Sequence, residues 1–429
     1  MAILQHRMTV TPTPENRTVR LLPIRWALGL SLTVAIALLS VIGWIVFVPA
    51  GAPDLPTGGA LSPSAIARTL LAVLGTVCGI VGLVSVFVVA LVIAYRRQRI
   101  TEAAELRASA AEQRESTKLF NERFSSASAQ LGHHAAAVRL AGVYAVAGLA
   151  DDWARQRQVC IDVLCAYLRM PYDPDNHRDG EREVRHSIIR VIRDHLRANA
   201  PTPWHGQDFD FTNATFDGGD LSGANFTGGT VQFSGAKFTN EIVNFRGVRF
   251  AGASVQFGYA DFASDVVDFS SAEFVNGHID FNFATFASGH VVFSSAKFVS
   301  DTVDFRNARF TGGMVYFDGS EFASGTTDFS RAEFASGRVL FNYAKFSGAR
   351  VYFNSTEFAG GVIDFNGAHF SAGTVNFGHA KFAGGLVDLS QPSNLDTRPV
   401  FDSMPTLPEG LMLPPAWPGT AASQPLGIG

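Results

Sequence analysis

The chain has 429 residues, a formal net charge of −4, three cysteines and 36 phenylalanines. Its length allows two or three domains, and a charge this close to neutral points neither to nucleic acid nor to a strongly acidic ligand. Locally the balance shifts: residues 96–200 hold 17 basic and 14 acidic side chains, residues 201–389 hold 11 and 19, so a mildly basic middle leads into an acidic distal part.

Residues 1–25 read as a tail. Two uncharged runs follow, "WALGLSLTVAIALLSVIGWIVFV" (26–48) and "TLLAVLGTVCGIVGLVSVFVVALVIAY" (69–95), each longer than the roughly 20 residues that span a bilayer. The first starts late and lacks a small-residue cleavage pattern, so it reads as a span and not as a signal peptide. Arg7, Arg17, Arg20 and Arg25 precede it, Arg96, Arg97 and Arg99 follow the second run, and the stretch between has no Lys or Arg before Arg68. That asymmetry places both ends in the cytoplasm. The expectation is a multi-pass protein of the cell membrane, with a transmembrane hairpin over 26–95 and a cytoplasmic N-terminus and distal part. Gly75, Gly79 and Gly82 form a stripe where another helix could approach, either the first span or a second copy. Neither span carries an ionisable side chain for a conduction pathway, which disfavours a channel or transporter.

Residues 96–200 read as a helical stalk and connector. A helix is expected over 100–130, then over 135–150, over 151–170 with Asp151 or Asp152 as N-cap, and over 180–197. In the last, Val184, Ile188, Ile192 and Leu196 share one face. Arg182, Arg185, Arg190, Arg193 and Arg197 lie largely off it, as a solvated face paired with Glu181, Glu183 and Asp194. His133 and His134 fall in a turn away from any carboxylate cluster. Cys160 and Cys165, five apart on a helix, read as buried thiols and not as a zinc pair or a disulfide.

From Phe233 to Phe382 the unit V-x-F-x-x-A-x-F recurs every twelve residues, thirteen times, with phenylalanines alternately five and seven apart. Before it, Phe211, Phe216, Leu221 and Phe226 recur every five. In "VQFSGAKF" (231–238), Val231 and Phe233 point one way and Gln232 the other, as in a strand. Ala236, Lys237 and Phe238 repeat this after the two-residue corner Ser234–Gly235. Long corners of four residues favour Gly at their third position (Gly277, Gly289, Gly313, Gly325, Gly337, Gly361, Gly373, Gly385), as a positive φ requires. The outward residue of A-x-F decides how many sides make a coil. Read every 24 residues, one column is Arg249, Glu273, Lys297, Glu321, Lys345, His369, alternating in sign. Read every twelve, like charges stack repeatedly, which costs a few tenths of a kcal/mol each. The coil therefore has four sides and 24 residues: a first coil of 20 and six to seven of 24, roughly 35 Å at about 4.8 Å per coil. Phe233, Phe245, Phe257, Phe269, Phe281, Phe293 and Phe305 belong to its inward ladders, which removes them from any base-stacking role.

"ATFDGGDLSGANF" (214–226) resembles the A-(D/N)-(L/F)-x-x unit of the pentapeptide-repeat family. "ERFSSASAQLG", "AAVRLAGVYA" and "VLCAYLRMPYDPD" are similar to the connector of membrane-anchored bacterial members, so the likeness covers about residues 122–390. It implies a mostly β fold, a right-handed quadrilateral β-helix over 201–389. Residues 390–429 are Pro-rich; "PVFDSMPTLPEGLML" is suited to cover the last coil and the rest reads as disordered.

No GxSxG, HExxH, Walker-type GK[ST] or CxxC string occurs, and the acidic residues of the repeat recur as surface positions without converging. The expectation is a non-enzymatic, membrane-tethered scaffold without cofactor or metal, whose rigid solenoid binds a protein partner. The alternative is nucleic-acid mimicry: the family includes solenoids that bind DNA gyrase in place of DNA, and Asp280, Asp304 and Asp328 form an acidic column. Eleven basic side chains interrupt that surface, which makes a nucleic-acid role the weaker reading. The outward V-x-F column Asn244, Asp268, Val292, Tyr316, Leu340, Asp364, Asp388 stacks three apolar side chains between acidic ones, so Val292, Tyr316 and Leu340 are the candidate partner surface.

Overall fold

The computed structural model describes residues 33, 36, 37, 40, 63–402 and 407–415, and the chain divides into two units, residues 1–116 and 117–429. Helix α1, Pro63–Leu131, runs unbroken through the second expected span and the stalk. Among the described residues it is the one helix long and apolar enough to cross a membrane, by length and composition. Leu71, Leu74, Leu83, Val86 and Phe87 are exposed along it. A Cβ added at Gly75, Gly79 or Gly82 would meet nothing within 4 Å. The first expected span lies outside the described residues except for Thr33, Ile36, Ala37 and Ser40, which are helical. Among the described residues there is therefore one candidate span, and the other half of the expected two-helix hairpin lies outside them.

In the second unit the end of α1 packs with α2 (Ala136–Asp152), α3 (Arg157–Arg169) and α4 (Glu181–Leu196). Phe120, Val143, Ile161, Leu164 and Ile188 are buried together. A Cβ at Gly142 would lie 2.7 Å from the Leu131 amide nitrogen, so glycine lets α2 approach the end of α1. Cys160 and Cys165 are buried free thiols; burial pushes the first up to about 11 and raises the second as well.

Two expectations fail in the connector. Asp151 and Asp152 close α2 and do not open α3, whose N-cap is Gln156. The Asp151 carboxylate is held by distant partners: Trp204 Nε1 donates to it at 3.0 Å, and His195 Nε2, its ring stacked on Trp204, lies 3.1 Å away. Nor is the arginine row of α4 simply a solvated face. Arg185 is buried, donates to the carbonyls of Leu168 (2.6 Å) and Thr215 (3.0 Å), and lies over the Tyr172 ring. Arg182 reaches Asp217 (3.2 Å) and Glu241 (2.5 Å), and Arg193 pairs with Asp220. Arg190 and Arg197 pair with acids of the helix itself, Glu183 at 3.1 Å and Asp194 at 4.0 Å, and Arg193 holds Asp194 at 2.8 Å besides Asp220. Glu181 is itself buried beside Arg139, Arg178 and the Tyr167 hydroxyl. Long cationic side chains thus dock α4 on the first coil, where their partners lie far away in sequence.

Beyond Trp204 the chain winds into a parallel β-solenoid. Each coil visits four faces in turn, first occupied by Phe209–Asp210, Thr215–Phe216, Gly219–Asp220 and Asn225–Thr227. Faces two and three are separate sheets of eight and nine strands. Faces one and four share the third, because Lys345–Tyr352 and His369–Asn376 run through the corner between them without a break. Register joins residues 24 apart: Arg249 to Glu273, Glu273 to Lys297, Lys297 to Glu321, Glu321 to Lys345, Lys345 to His369. The first coil differs from expectation. Phe209 pairs with Val231 and Thr215 with Lys237, a spacing of 22, because the step from Phe226 to Phe233 already carries a long corner.

The core consists of stacked rings. Phe257, Phe281 and Phe305 of face one lie 4.8 and 4.6 Å apart and within 3° of parallel. Phe245, Phe269 and Phe293 of face three stack likewise at 4.6 and 5.0 Å, and the two columns meet edge-to-face, Phe281 to Phe293 at 6.0 Å and 89°. Phe233 stands below Phe257 at 4.7 Å. All seven are fully buried. At the C-terminal end Phe401 stacks on Phe377 at 4.9 Å and Leu411–Met412 pairs with Val387 and Asp388. That segment continues the coils irregularly, leaving Phe382 half-buried. Residues 416–429 lie outside the described residues.

Two measurements check this architecture. Lys297 stands between Glu273 (3.4 Å) and Glu321, so Lys297→Glu lowers stability by about 1 kcal/mol, and adding Glu273→Lys with Glu321→Lys recovers part of it in thermal melts. Recovery by changes twelve residues away would disprove the register. The second concerns Asp217, buried against α4 with Tyr172 Oη at 2.6 Å, His186 Nε2 at 3.1 Å and Arg182. Burial opposes its ionisation, but these partners outweigh it and hold the carboxyl below its usual range. A depressed carboxylate contributes stability that is full above the ordinary value of about 3.9 and lost as pH falls through the lower folded value. Asp217→Asn is therefore expected to melt below the parent at neutral pH, with the gap closing below about pH 4.

Candidate interaction surface

On faces one and three the outward strand residue precedes a two-residue corner. Where it is Asp or Asn, its Oδ1 accepts the N–H two residues on: Asp268 from Ser270 (2.7 Å), Asp280 from Asn282 (2.7 Å), Asp304 from Arg306 (2.9 Å), Asp364 from Asn366 (2.9 Å). The acidic rows are thus largely a row of turn caps. In the column Asp280–Asp304–Asp328 the carboxylates stack in register. Asp304 is buried and gripped by Arg306 at 2.5 Å, and Arg306 also lies 4.0 Å from Asp328. Burial, then the Asp304 charge, raises the Asp280 carboxyl.

Face three breaks the rule at three successive coils. Asp220, Asn244 and Asp268 cap their corners, then Val292, Tyr316 and Leu340 supply no acceptor, then Asp364 and Asp388 cap again. At Leu340 the Asn342 N–H is taken by Asp318 from the coil below, at 3.1 Å. Register places Val292 beside Tyr316 and Tyr316 beside Leu340, and all three are partly exposed. The Tyr316 hydroxyl lies 2.8 Å from Met314 Sδ and 3.3 Å from His290 Nδ1, so the neighbouring outward row thickens the patch.

Corner residues that the sequence did not single out add to the outer surface. Positive φ was expected at the third position of long corners and occurs at Gly277, Gly289, Gly313, Gly325, Gly337 and Gly373, but not at Gly361 or Gly385. A Cβ on Gly289 would overlap the Ser264 carbonyl. The second residue of the short corners is also left-handed, often without glycine: Tyr259 (60°), Phe283 (58°) and Tyr343 (56°) stand there, exposed. Large residues rarely adopt that conformation. Tyr343 belongs to the corner leaving face three just after Leu340 and extends the patch. The detectable signal was a bulky ring in a corner slot held mostly by Gly, Ser or Asn, with Arg331 and His379 as the other exceptions.

Among the described residues no group of three or more His, Cys, Asp or Glu is placed to hold a metal ion. His133 and His134 sit in the α1–α2 turn, where their carbonyls accept from Arg139 Nη1 at 3.2 and 2.6 Å.

Residues 211–256 match the family described as pentapeptide repeats, in nine copies. No curated protein and no solved structure matches the chain. Similarity to the family thus falls on the first two coils, while the same register continues to Leu411.

If the missing caps are a concession to surface chemistry, restoring one should not harm the fold. Tyr316→Asn supplies an acceptor as Asn244 does and brings no charge. Its melting temperature is expected to equal or exceed that of the parent, a turn hydrogen bond of about 0.5–1.5 kcal/mol offsetting the lost ring contacts. A loss of several degrees would show that Tyr316 is there for the sheet.

Proposed function

We propose that the protein is a non-enzymatic scaffold held at the cell membrane, with its β-helix in the cytoplasm presenting face three to a protein partner. The observation that carries this reading is the interruption of the cap row at Val292, Tyr316 and Leu340. Three consecutive coils forgo a turn hydrogen bond made above and below, and the side chains gained are an aliphatic–aromatic patch bordered by Asp268 and Asp364. An apolar centre with a charged rim is the anatomy of a protein-binding patch. The phenylalanine ladders keep such a surface rigid, so binding costs little ordering entropy.

Tethering rests on the uncharged, exposed stretch of α1 and on the uncharged run 26–48. The arginines flanking both runs favour cytoplasmic ends. The acidic column Asp280–Asp304–Asp328 lends little to mimicry of nucleic acid, since its carboxylates are engaged by turn amides and Arg306.

The reading is tested by proximity labelling from the C-terminal end of the solenoid in intact cells. Tyr316→Glu is expected to remove a specific set of labelled proteins that Thr285→Glu, on face two, leaves in place. Identical labelling by parent and Tyr316→Glu would reduce the patch to sheet chemistry.

A further inference from the structure

A second surface lies below the patch, where the end of α4 meets the corner between faces three and four. A cleft of about 560 Å³ there is lined by Arg197, Asn199, Ser222, Asn244, Arg246 and Ser271, together with Ala198, Gly223 and Gly247. The hollow is broad and open to solvent, so a ligand would be held there through its polar groups. Two guanidiniums, two hydroxyls and two carboxamides face one space, and no carboxylate is among the residues that line it.

Arg246 is the informative residue. In its corner row, Ser222, Arg246, Ser270, Ser294, Asp318, Asn342, Asn366, Ser390, it is the one cation. The chain contains its own control. Arg306 occupies the equivalent slot on the other short corner, two residues after Asp304, and folds back on that carboxylate at 2.5–2.9 Å. Arg246 follows Asn244, whose Oδ1 accepts the Arg246 backbone N–H at 2.9 Å and whose neutral amide offers no counter-charge. Arg197 is little better neutralised: Asp194 lies 4.0 Å away and is engaged by Arg193 at 2.8 Å. Of the other nearby carboxylates, Asp220 is paired with Arg193 and also accepts the Ser222 N–H, while Asp268 gives one oxygen to the Ser270 N–H and keeps its charge.

We propose that this cleft binds the phosphate group of a phosphate monoester, held between the Arg197 and Arg246 guanidiniums with Ser222, Ser271 and the Asn244 amide as further donors. Guanidinium forks match phosphate oxygens in geometry and charge, and hydroxyls and amides complete the shell. Such a monoester is either soluble or the headgroup of a lipid. The inference is independent of the patch on face three.

The test uses the full chain held in phosphatidylcholine nanodiscs. Glycerol 3-phosphate is titrated by calorimetry, and vesicles of phosphatidylcholine with or without phosphatidic acid are assayed by co-sedimentation. Binding of either probe is expected, weakened at least about tenfold in Arg246→Gln and in Arg197→Gln, because each removes a charge-assisted contact. Arg246→Lys, which keeps the charge without the fork, is expected to lie between. Unshifted thermal melts confirm that the variants fold. Binding of glycerol 3-phosphate supports a soluble ligand. Sedimentation only with phosphatidic acid, lost in the variants, supports a lipid headgroup. Failure of both probes, or binding unchanged in Arg197→Gln and Arg246→Gln, overturns the proposal.

Discussion

Everything in the distal unit follows from one constraint: adjacent parallel strands are about 4.8 Å apart, and so are comfortably stacked aromatic rings. Phe310 and Phe334 lie 4.5 Å apart and 2° from parallel, Phe298 and Phe322 4.8 Å and 4°. A phenylalanine recurring in the same place on every coil satisfies backbone hydrogen bonding and side-chain packing with one spacing. Most rings also meet rings of another face edge-on or tilted, as Phe281 meets Phe293 at 89° and Phe286 at 39°, the arrangements that aromatic quadrupoles favour. The coil can then vary its outer residues widely, since they add to the stability of a register that the ladders and the backbone already hold.

This division explains what the sequence disclosed and what it withheld. The ladders were legible because a period shared by inward residues cannot arise from solvent-facing chemistry. The 24-residue coil was legible from charge alternation at Arg249, Glu273 and Lys297, because neighbours on an outer face feel each other directly. The first coil was misjudged by two residues, since one long corner is invisible until Phe226 and Phe233 are placed on successive faces. The role of the aspartates was also hidden. A periodic acidic residue looks like a surface charge, and only the geometry of the corner shows that Asp268 and Asp364 spend an oxygen on a backbone amide.

The connector was the least legible part. Helix positions were readable from apolar spacing, but Arg185 gave no sign that it would be buried against the Leu168 and Thr215 carbonyls. Its partners are contributed by another helix and by the first coil, and no local pattern announces such a meeting. The same holds for Asp217, which in sequence is one more repeat aspartate and in the fold is the point where Tyr172, His186 and Arg182 converge.

The two ends of the solenoid are finished differently. The first coil is sealed by α3 and α4 through the buried Arg185 and Trp204 and the partly buried pair Arg182–Asp217, whereas the last is followed by an irregular turn that leaves Val400, Leu407 and Met412 exposed and Phe382 half-covered. In a fold whose coils are held only by their neighbours, loss of order propagates one layer at a time from the weaker terminus. Unravelling is therefore directional: it begins at the C-terminal layers and reaches the connector last. A pull applied at the last described coil would meet the least resistance first, while one applied from the connector would have to break the Asp217 cluster before any coil came free.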